Sequence, residues 1–312
     1  MQLDTKYGNL RGVSLVHRYP NGAVEDCTLA EKNVITIGDG KFVPQYIDDG
    51  VRRKYTRSVS FYEDGSVKSI VLQQKQVIQT SVGILPVEHI IFYSSGNVKR
   101  VFPLNGKITG YWTEDDEYEL AEELSFDFPF GKISGKIIGI YFYDGGDVKS
   151  LTFWPKQRFE VLTPVGLIRV RYGLSVYPDG SLKTVEPAVP TTIMTPIGPI
   201  QAFDSNAHGI NADVNSLVFH EDGRLKALTT SLHRIEITDK QGNLTIFEPS
   251  LTPNLFNPEQ MDINPLRIEF DNEYVRVNGE SIFDVNDTNI EVTSFTVNKK
   301  LCSSCSNCTA CG

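Results

Sequence analysis

The feature that most constrains this chain is a turn that keeps returning. An aromatic residue or His, a short polar link, Gly and a β-prone segment that often carries Lys occur in that order six times. The copies are Tyr19-Pro-Asn-Gly22-Ala-Val, Tyr62-Glu-Asp-Gly65-Ser-Val-Lys68 and Tyr93-Ser-Ser-Gly96-Asn-Val-Lys99, then Tyr143-Asp-Gly-Gly146-Asp-Val-Lys149, Tyr177-Pro-Asp-Gly180-Ser-Leu-Lys183 and His220-Glu-Asp-Gly223-Arg-Leu-Lys226. Asn-Gly and Asp-Gly supply the positive φ that tight hairpins demand. The flanks alternate apolar and polar, as in Val59-Ser-Phe61 and Val67-Lys-Ser-Ile70, which buries one face and leaves the other in water. The recurrent Lys then falls on the solvent side, where it also blunts sheet edges.

A second mark keeps step with the first. Thr80-Ser-Val-Gly83, Thr163-Pro-Val-Gly166 and Thr195-Pro-Ile-Gly198 look equivalent, and Phe128-Pro-Phe-Gly131 resembles them. Gly8, Gly83, Gly131 and Gly166 precede the turn glycines Gly22, Gly96, Gly146 and Gly180 by 13 to 15 residues. Each unit is therefore two turns joined by strand. After Gly198 the offset stretches to 25, which marks an insertion at 204–211. Helical signal is nearly absent: Asp116 to Leu124 is the one stretch expected to make two turns. The pattern predicts an all-β fold, an elongated antiparallel β-hairpin repeat stack in which each unit buries its face on its neighbours. The alternative is a β-propeller. The irregular spacing of the copies favours the open stack.

Composition predicts four segments. Residues 1–249 form the hairpin-repeat domain, the Pro- and Asn-rich 250–265 a linker, 266–300 a small β appendage, and 301–312 a flexible Cys-rich tail. Phe270-Asp-Asn-Glu-Tyr274 and Val277-Asn-Gly279 are turn candidates in the appendage.

The copies around Gly65, Gly96, Gly146, Gly180 and Gly223, with Leu104-Asn-Gly-Lys-Ile-Thr-Gly-Tyr-Trp112, resemble the variant MORN-type β-hairpin repeats of bacterial antitoxin-like proteins. The likeness covers about 55–235. It implies binding or scaffolding and brings no catalytic residue.

Charge narrows the partners. A net charge of -9 and a pI near 5.1 argue against nucleic acid and anionic membranes, because phosphates need a basic footprint. No apolar run is long enough for a transmembrane helix, and the first residues lack the pattern of a signal peptide. A cytoplasmic location and a protein partner are the expectation.

The sharpest chemical signal is Cys302-Ser-Ser-Cys305-Ser-Asn-Cys308-Thr-Ala-Cys311. Thiolates spaced by two residues can converge on one centre, and four match the ligand count of tetrahedral zinc or an iron–sulfur cluster. The first three resemble a bacterial ferredoxin run; the fourth departs from it, following after two residues and without a trailing Pro. Cys27, the fifth cysteine, is a further candidate ligand. An iron–sulfur cluster is slightly favoured over zinc, with redox-active thiols as the rival use.

Other constellations carry less. Eight acids between Glu114 and Asp127 include no base and do not follow the EF-hand spacing, so a solvated face is expected. Of the five histidines, His17 and His220 sit at or near the repeat's aromatic position, where packing or turn roles are expected. His208 lies in the insertion near Asp204, and His208 with Asp213 could form an acid–base pair, although no nucleophile motif accompanies them. Walker, GxSxG and HExxH patterns are missing, and Gly38-Asp-Gly40 reads as a turn. Trp112 and Trp154 could serve a carbohydrate or peptide platform, with sheet packing as the default.

The expected function is a β-repeat binding or scaffold protein whose cysteine tail binds metal or a cluster and passes electrons or metal to a partner. The rivals are a redox or maturation enzyme with its site near His208 or the tail, and a purely structural antitoxin-like interaction module.

Overall fold

A computed structural model of the chain describes residues 1–48, 50–53, 57–207, 214–255, 257 and 259–296. They form an all-β fold of antiparallel pairs with one short helix among the described residues. They divide into two compact units. One holds Met1–Ala188 with Phe219–Arg224; the other holds Val189–Ala207, Ser216–Val218 and the strands from Leu225 on.

In the first unit the strands are β1 (Leu3–Thr5), β2 (Gly8–Leu10), β3 (Val13–Arg18), β4 (Val24–Leu29), β5 (Ile35–Ile37), β6 (Gly40–Phe42), β7 (Val59–Phe61) and β8 (Val67–Thr80). They continue as β9 (Gly83–Phe92), β10 (Val98–Phe102), β11 (Glu123–Phe128), β12 (Gly131–Phe142), β13 (Val148–Phe153), β14 (Phe159–Thr163), β15 (Gly166–Val176) and β16 (Leu182–Pro187). Pairing runs β3–β4–β7–β8–β9–β10–β12–β13–β15–β16, with β11 added to β12 and β14 to β15. No pairing among the described residues returns from β16 to β3.

All six expected turns form, and they are the same object. In each, the Gly N–H bonds to the carbonyl of the aromatic position, and the N–H of that position bonds to the carbonyl just after the Gly. Gly65, for example, donates to Tyr62 at 2.9 Å, and Tyr62 donates to Ser66 at 2.8 Å. The six glycines hold φ between 78° and 95°, the left-handed region that a three-residue hairpin loop needs at its last position. In five of the six copies the third position is Asp, Asn or Ser, whose side chain accepts from the N–H two residues on, as Asp64 does from Ser66 and Asp179 from Ser181; the fourth copy has Gly145 there. Lys68 and Lys226 are exposed on the solvent side as expected, and four of the five recurrent lysines also lie over a tyrosine ring, Lys99 over Tyr93 at 5.1 Å and Lys183 over Tyr177 at 5.2 Å among them.

The second mark is a two-residue hairpin tip. Thr80 pairs with Gly83, Thr163 with Gly166 and Phe128 with Gly131, and in the threonine tips the hydroxyl donates to the Gly carbonyl. Thr5–Gly8 is another such tip, and so is Ile37–Gly40, where Ile replaces the expected Thr.

Each unit reaches the next in two ways. The phenol of one turn donates to the carbonyl that precedes the next turn: Tyr19 to Phe61, Tyr62 to Phe92, Tyr93 to Phe142, Tyr143 to Val176 and Tyr177 to Phe219, at 2.7–3.0 Å. The tips lie against the turn of the following unit. Ser81 Oγ donates to the Gly146 carbonyl at 2.8 Å. A β-carbon placed on Gly180 would lie 3.3 Å from Pro129, and one on Gly223 would lie 3.5 Å from Pro164.

One cross-strand row makes the core of this sheet. Cys27, Val59, Ile70, Ile90, Val101, Ile140, Leu151, Leu174 and Val185 face one another in succession, one per strand, and all are fully buried. Burial on this scale is the main stabilising term of such a sheet.

The helix α1 (Glu114–Leu120) starts two residues earlier than expected and stops sooner. Thr113 and Asp116 form a reciprocal capping box that fixes its start. It ends because Glu123 already pairs with Lys136 in β11–β12.

The second unit holds β17 (Thr191–Thr195), β18 (Gly198–Ala202), β20 (Leu225–Thr230), β21 (His233–Thr238), β22 (Leu244–Phe247), β23 (Ser250–Pro253), β24 (Met261–Asn264), β25 (Leu266–Asp271), β26 (Tyr274–Val277), β27 (Ser281–Asp284) and β28 (Asn289–Ser294); β19 (Leu217–Phe219) leads into the sixth turn. The 250–265 stretch is not a linker: β23 and β24 pair from Ser250–Asn264 to Pro253–Met261, and Asn254 binds Asp262 across the loop. Nor do the described residues after 265 stand apart as an appendage. Strand β25 pairs with β20 and β28 with β21, both long-range pairings that local composition does not report.

Candidate functional site

Opposite the core row, the sheet of the first unit carries a polar row. Asp26, Ser60, Ser69, Ile91, Arg100, Tyr141, Ser150, Ser175 and Thr184 are successive cross-strand partners. Strand alternation alone puts them there, since each stands beside a core residue. Two clefts open along the residues of this face.

The link between them is a buried ion cluster. Arg52 binds Glu88 (2.8 Å) and Glu117 (2.8 Å) with its guanidinium. Both carboxylates are almost fully buried. Their remaining oxygen capacity goes to Asn105 N–H, Gly106 N–H and the Trp112 indole N–H. Burial opposes the charge on Arg52, but the hydrogen bonds it donates to Glu117 and Glu88 outweigh it and hold the guanidinium protonated. Gly106 is required by closeness: a β-carbon there would fall 1.9 Å from a Glu117 oxygen. Thus the acidic stretch is not simply a solvated face. Glu117 is internal, and Asp115 and Glu122 pair with Lys156 and Lys75.

The first cleft, about 570 Å³, is lined by Arg53, Arg57 and Lys107, by Ser60 and Ser69, and by Gln45, His89 and Asn105. Arg53, 6% exposed, donates to the carbonyls of Leu72 and Gln73. Ser69 donates to Ser60 at 3.1 Å. Burial, with the charge of Arg100 behind it, pushes the His89 imidazole down to about 4, so it is neutral at physiological pH. Its ring stacks on Phe102 at 5.1 Å. Beside this cleft Asp26, fully buried, lies 2.6 Å from His17 Nδ1 and 3.1 Å from Arg57 Nε. His17 is therefore a carboxylate partner and not a packing residue, whereas His220 does occupy the turn as expected.

The second cleft, about 790 Å³, has an aromatic and aliphatic wall of Phe102, Leu104, Ile108, Trp154 and Tyr172, with Arg100, Glu114 and Glu117 at its polar side. Tyr172 holds φ +59°, a strained setting for a bulky residue. Trp154 is buried in this wall, and the Trp112 indole N–H donates to Glu117.

The cysteines Cys302, Cys305, Cys308 and Cys311, and the pair His208 and Asp213, lie outside the described residues. Cys27 is fully buried in the core row, and burial, followed by the nearby Asp26 charge, pushes its thiol up to about 12. A metal ligand must be a thiolate, so this environment disfavours ligation by Cys27. Among the described residues no group of three or more His, Cys, Asp or Glu could hold a metal ion, and no helix is long and apolar enough to cross a membrane. Sequence reading missed His89, Arg52 and the basic cleft, which are assembled from residues far apart in the chain.

No family model, no curated protein and no solved structure matches this chain.

Proposed function

We propose that this chain is a β-repeat binding scaffold, an open stack of hairpins, and that Cys302, Cys305, Cys308 and Cys311 bind a metal or an iron–sulfur cluster and pass electrons or metal to a protein partner. The observation that carries the scaffold is the series of tyrosine-to-carbonyl bonds from each turn to the next unit. Such a series makes every copy depend on its neighbour, as in other repeat arrays. It also lines up one polar face for binding, where the clefts lie. His220 supports the same reading, because the last of the six turns has no phenol to extend the series. Support for the tail is the spacing of four thiols by two residues each.

Elemental and sulfide analysis of the anaerobically purified full chain tests the tail. Bound iron with sulfide, or bound zinc, that disappears when all four cysteines are replaced by Ser is the expected result. A chain free of metal and sulfide ends this half of the proposal and leaves the scaffold as an interaction module alone.

A further inference from the structure

We propose that the first cleft is a binding site for a phosphate monoester of a small, hydroxyl-rich molecule such as a sugar phosphate. The chain as a whole carries a net charge of -9, yet Arg53, Arg57 and Lys107 converge on this cleft and no carboxylate lines it among the described residues. A local reversal of sign inside an acidic protein concentrates anions at that point. Of the nearby acids, Glu88 and Glu117 are answered by Arg52, outside the cleft lining, while Asp26 is shared between His17 and the Nε of Arg57, so Lys107 carries the charge of the cleft that no described carboxylate beside it draws on.

The donors suit a phosphate. Arg57 uses Nε on Asp26, which leaves its terminal nitrogens without a bond to a described residue. The exposed Lys107 ammonium likewise makes no bond to a described residue. Guanidinium forks and ammonium groups are the side chains that bind phosphate oxygens most strongly. The cleft, about 570 Å³, lies in the size range of small-molecule sites and leaves room beyond the phosphate itself. What fills that room must be polar, because Ser60, Ser69 and the Asn105 amide face it. The Asn105 side chain makes no bond to a described residue, so it is available to a ligand hydroxyl.

Isothermal titration of the full chain with glucose 6-phosphate, glucose and inorganic phosphate tests this. Expected is saturable binding of glucose 6-phosphate, about tenfold weaker binding of inorganic phosphate, and none of glucose. Lys107→Glu should weaken glucose 6-phosphate by about tenfold or more without altering the melting curve, since Lys107 is exposed. Arg57→Gln should weaken it as well, and raised salt should weaken it in the parent chain. Absence of binding by glucose 6-phosphate, equal binding of glucose, or affinity unchanged by Lys107→Glu in a folded chain would each overturn the proposal.

Discussion

The hydroxyl of Tyr93 donates to the carbonyl of Phe142 at 2.8 Å, across 49 residues of sequence. Phe142 itself is buried, and the residue after it is the aromatic residue of the next turn. One bond thereby ties the third turn to the fourth. Burial, followed by the neighbouring Tyr141, pushes the Tyr93 phenol up to about 12, so it stays a donor through any ordinary pH.

Tyr93→Phe keeps the ring and deletes the donor. The Phe142 carbonyl loses that partner, and the expected cost is about 1 kcal/mol. Tyr62→Phe and Tyr177→Phe should cost similar amounts, because Phe92 and Phe219 occupy the place of Phe142. Urea unfolding of each variant measures this. No destabilisation in any of the three would show that the bonds hold nothing.

Arg52→Met should be far more damaging. It strands Glu88 and Glu117, both buried, without a cation, and breaking a buried pair in this way costs about 3–5 kcal/mol. Adding Glu88→Gln and Glu117→Gln should return much of the loss, since the uncompensated charge is then gone. Thermal unfolding of the single and triple variants checks both signs.

His89 predicts an acid-sensitive step. Its folded pKa, about 4, lies below the ordinary value of 6.5. As pH falls, the unfolded chain takes up the proton first. The stability linked to the neutral ring is therefore full above about 6.5 and is lost as pH falls towards 4, a change of roughly 3 kcal/mol. His89→Gln should flatten the stability profile over that window relative to the parent. An unchanged profile would place the sensitivity elsewhere.

Cys27 predicts silence. With the four terminal cysteines replaced by Ser it is the sole thiol. Its burial and raised pKa should leave it unreactive towards a thiol reagent in the native state at mildly alkaline pH, with one equivalent released by concentrated guanidinium. Rapid native labelling would contradict its place in the core row.

What the sequence discloses here is what is local. The six turns could be read because each is complete within five residues, with Gly supplying a conformation that few side chains adopt. Two members of the pattern escaped. Gly38-Asp-Gly40 was legible as a turn but not as one of the tips, because Ile37 stands where Thr or Phe marked the others. At Asp239–Asn243 the turn makes the same two backbone bonds as the six copies, but Asp replaces the aromatic residue. The links between units were not readable, since the acceptor of each phenol is a backbone carbonyl 30 to 49 residues away. The same holds for the ion cluster, where Arg52 meets partners 36 and 65 residues further on. Burial made Cys27 ambiguous in sequence and plain in space: a thiol is also a small core residue.

Native-state hydrogen exchange on Tyr93→Phe tests the repeat scaffold most directly. If each unit leans chiefly on its neighbours, protection should fall in β9–β10 and β12–β13, which flank the lost bond, and hold its parent value in β3–β4 and β15–β16. A uniform loss across all of these strands, or no loss in any of them, would contradict the account.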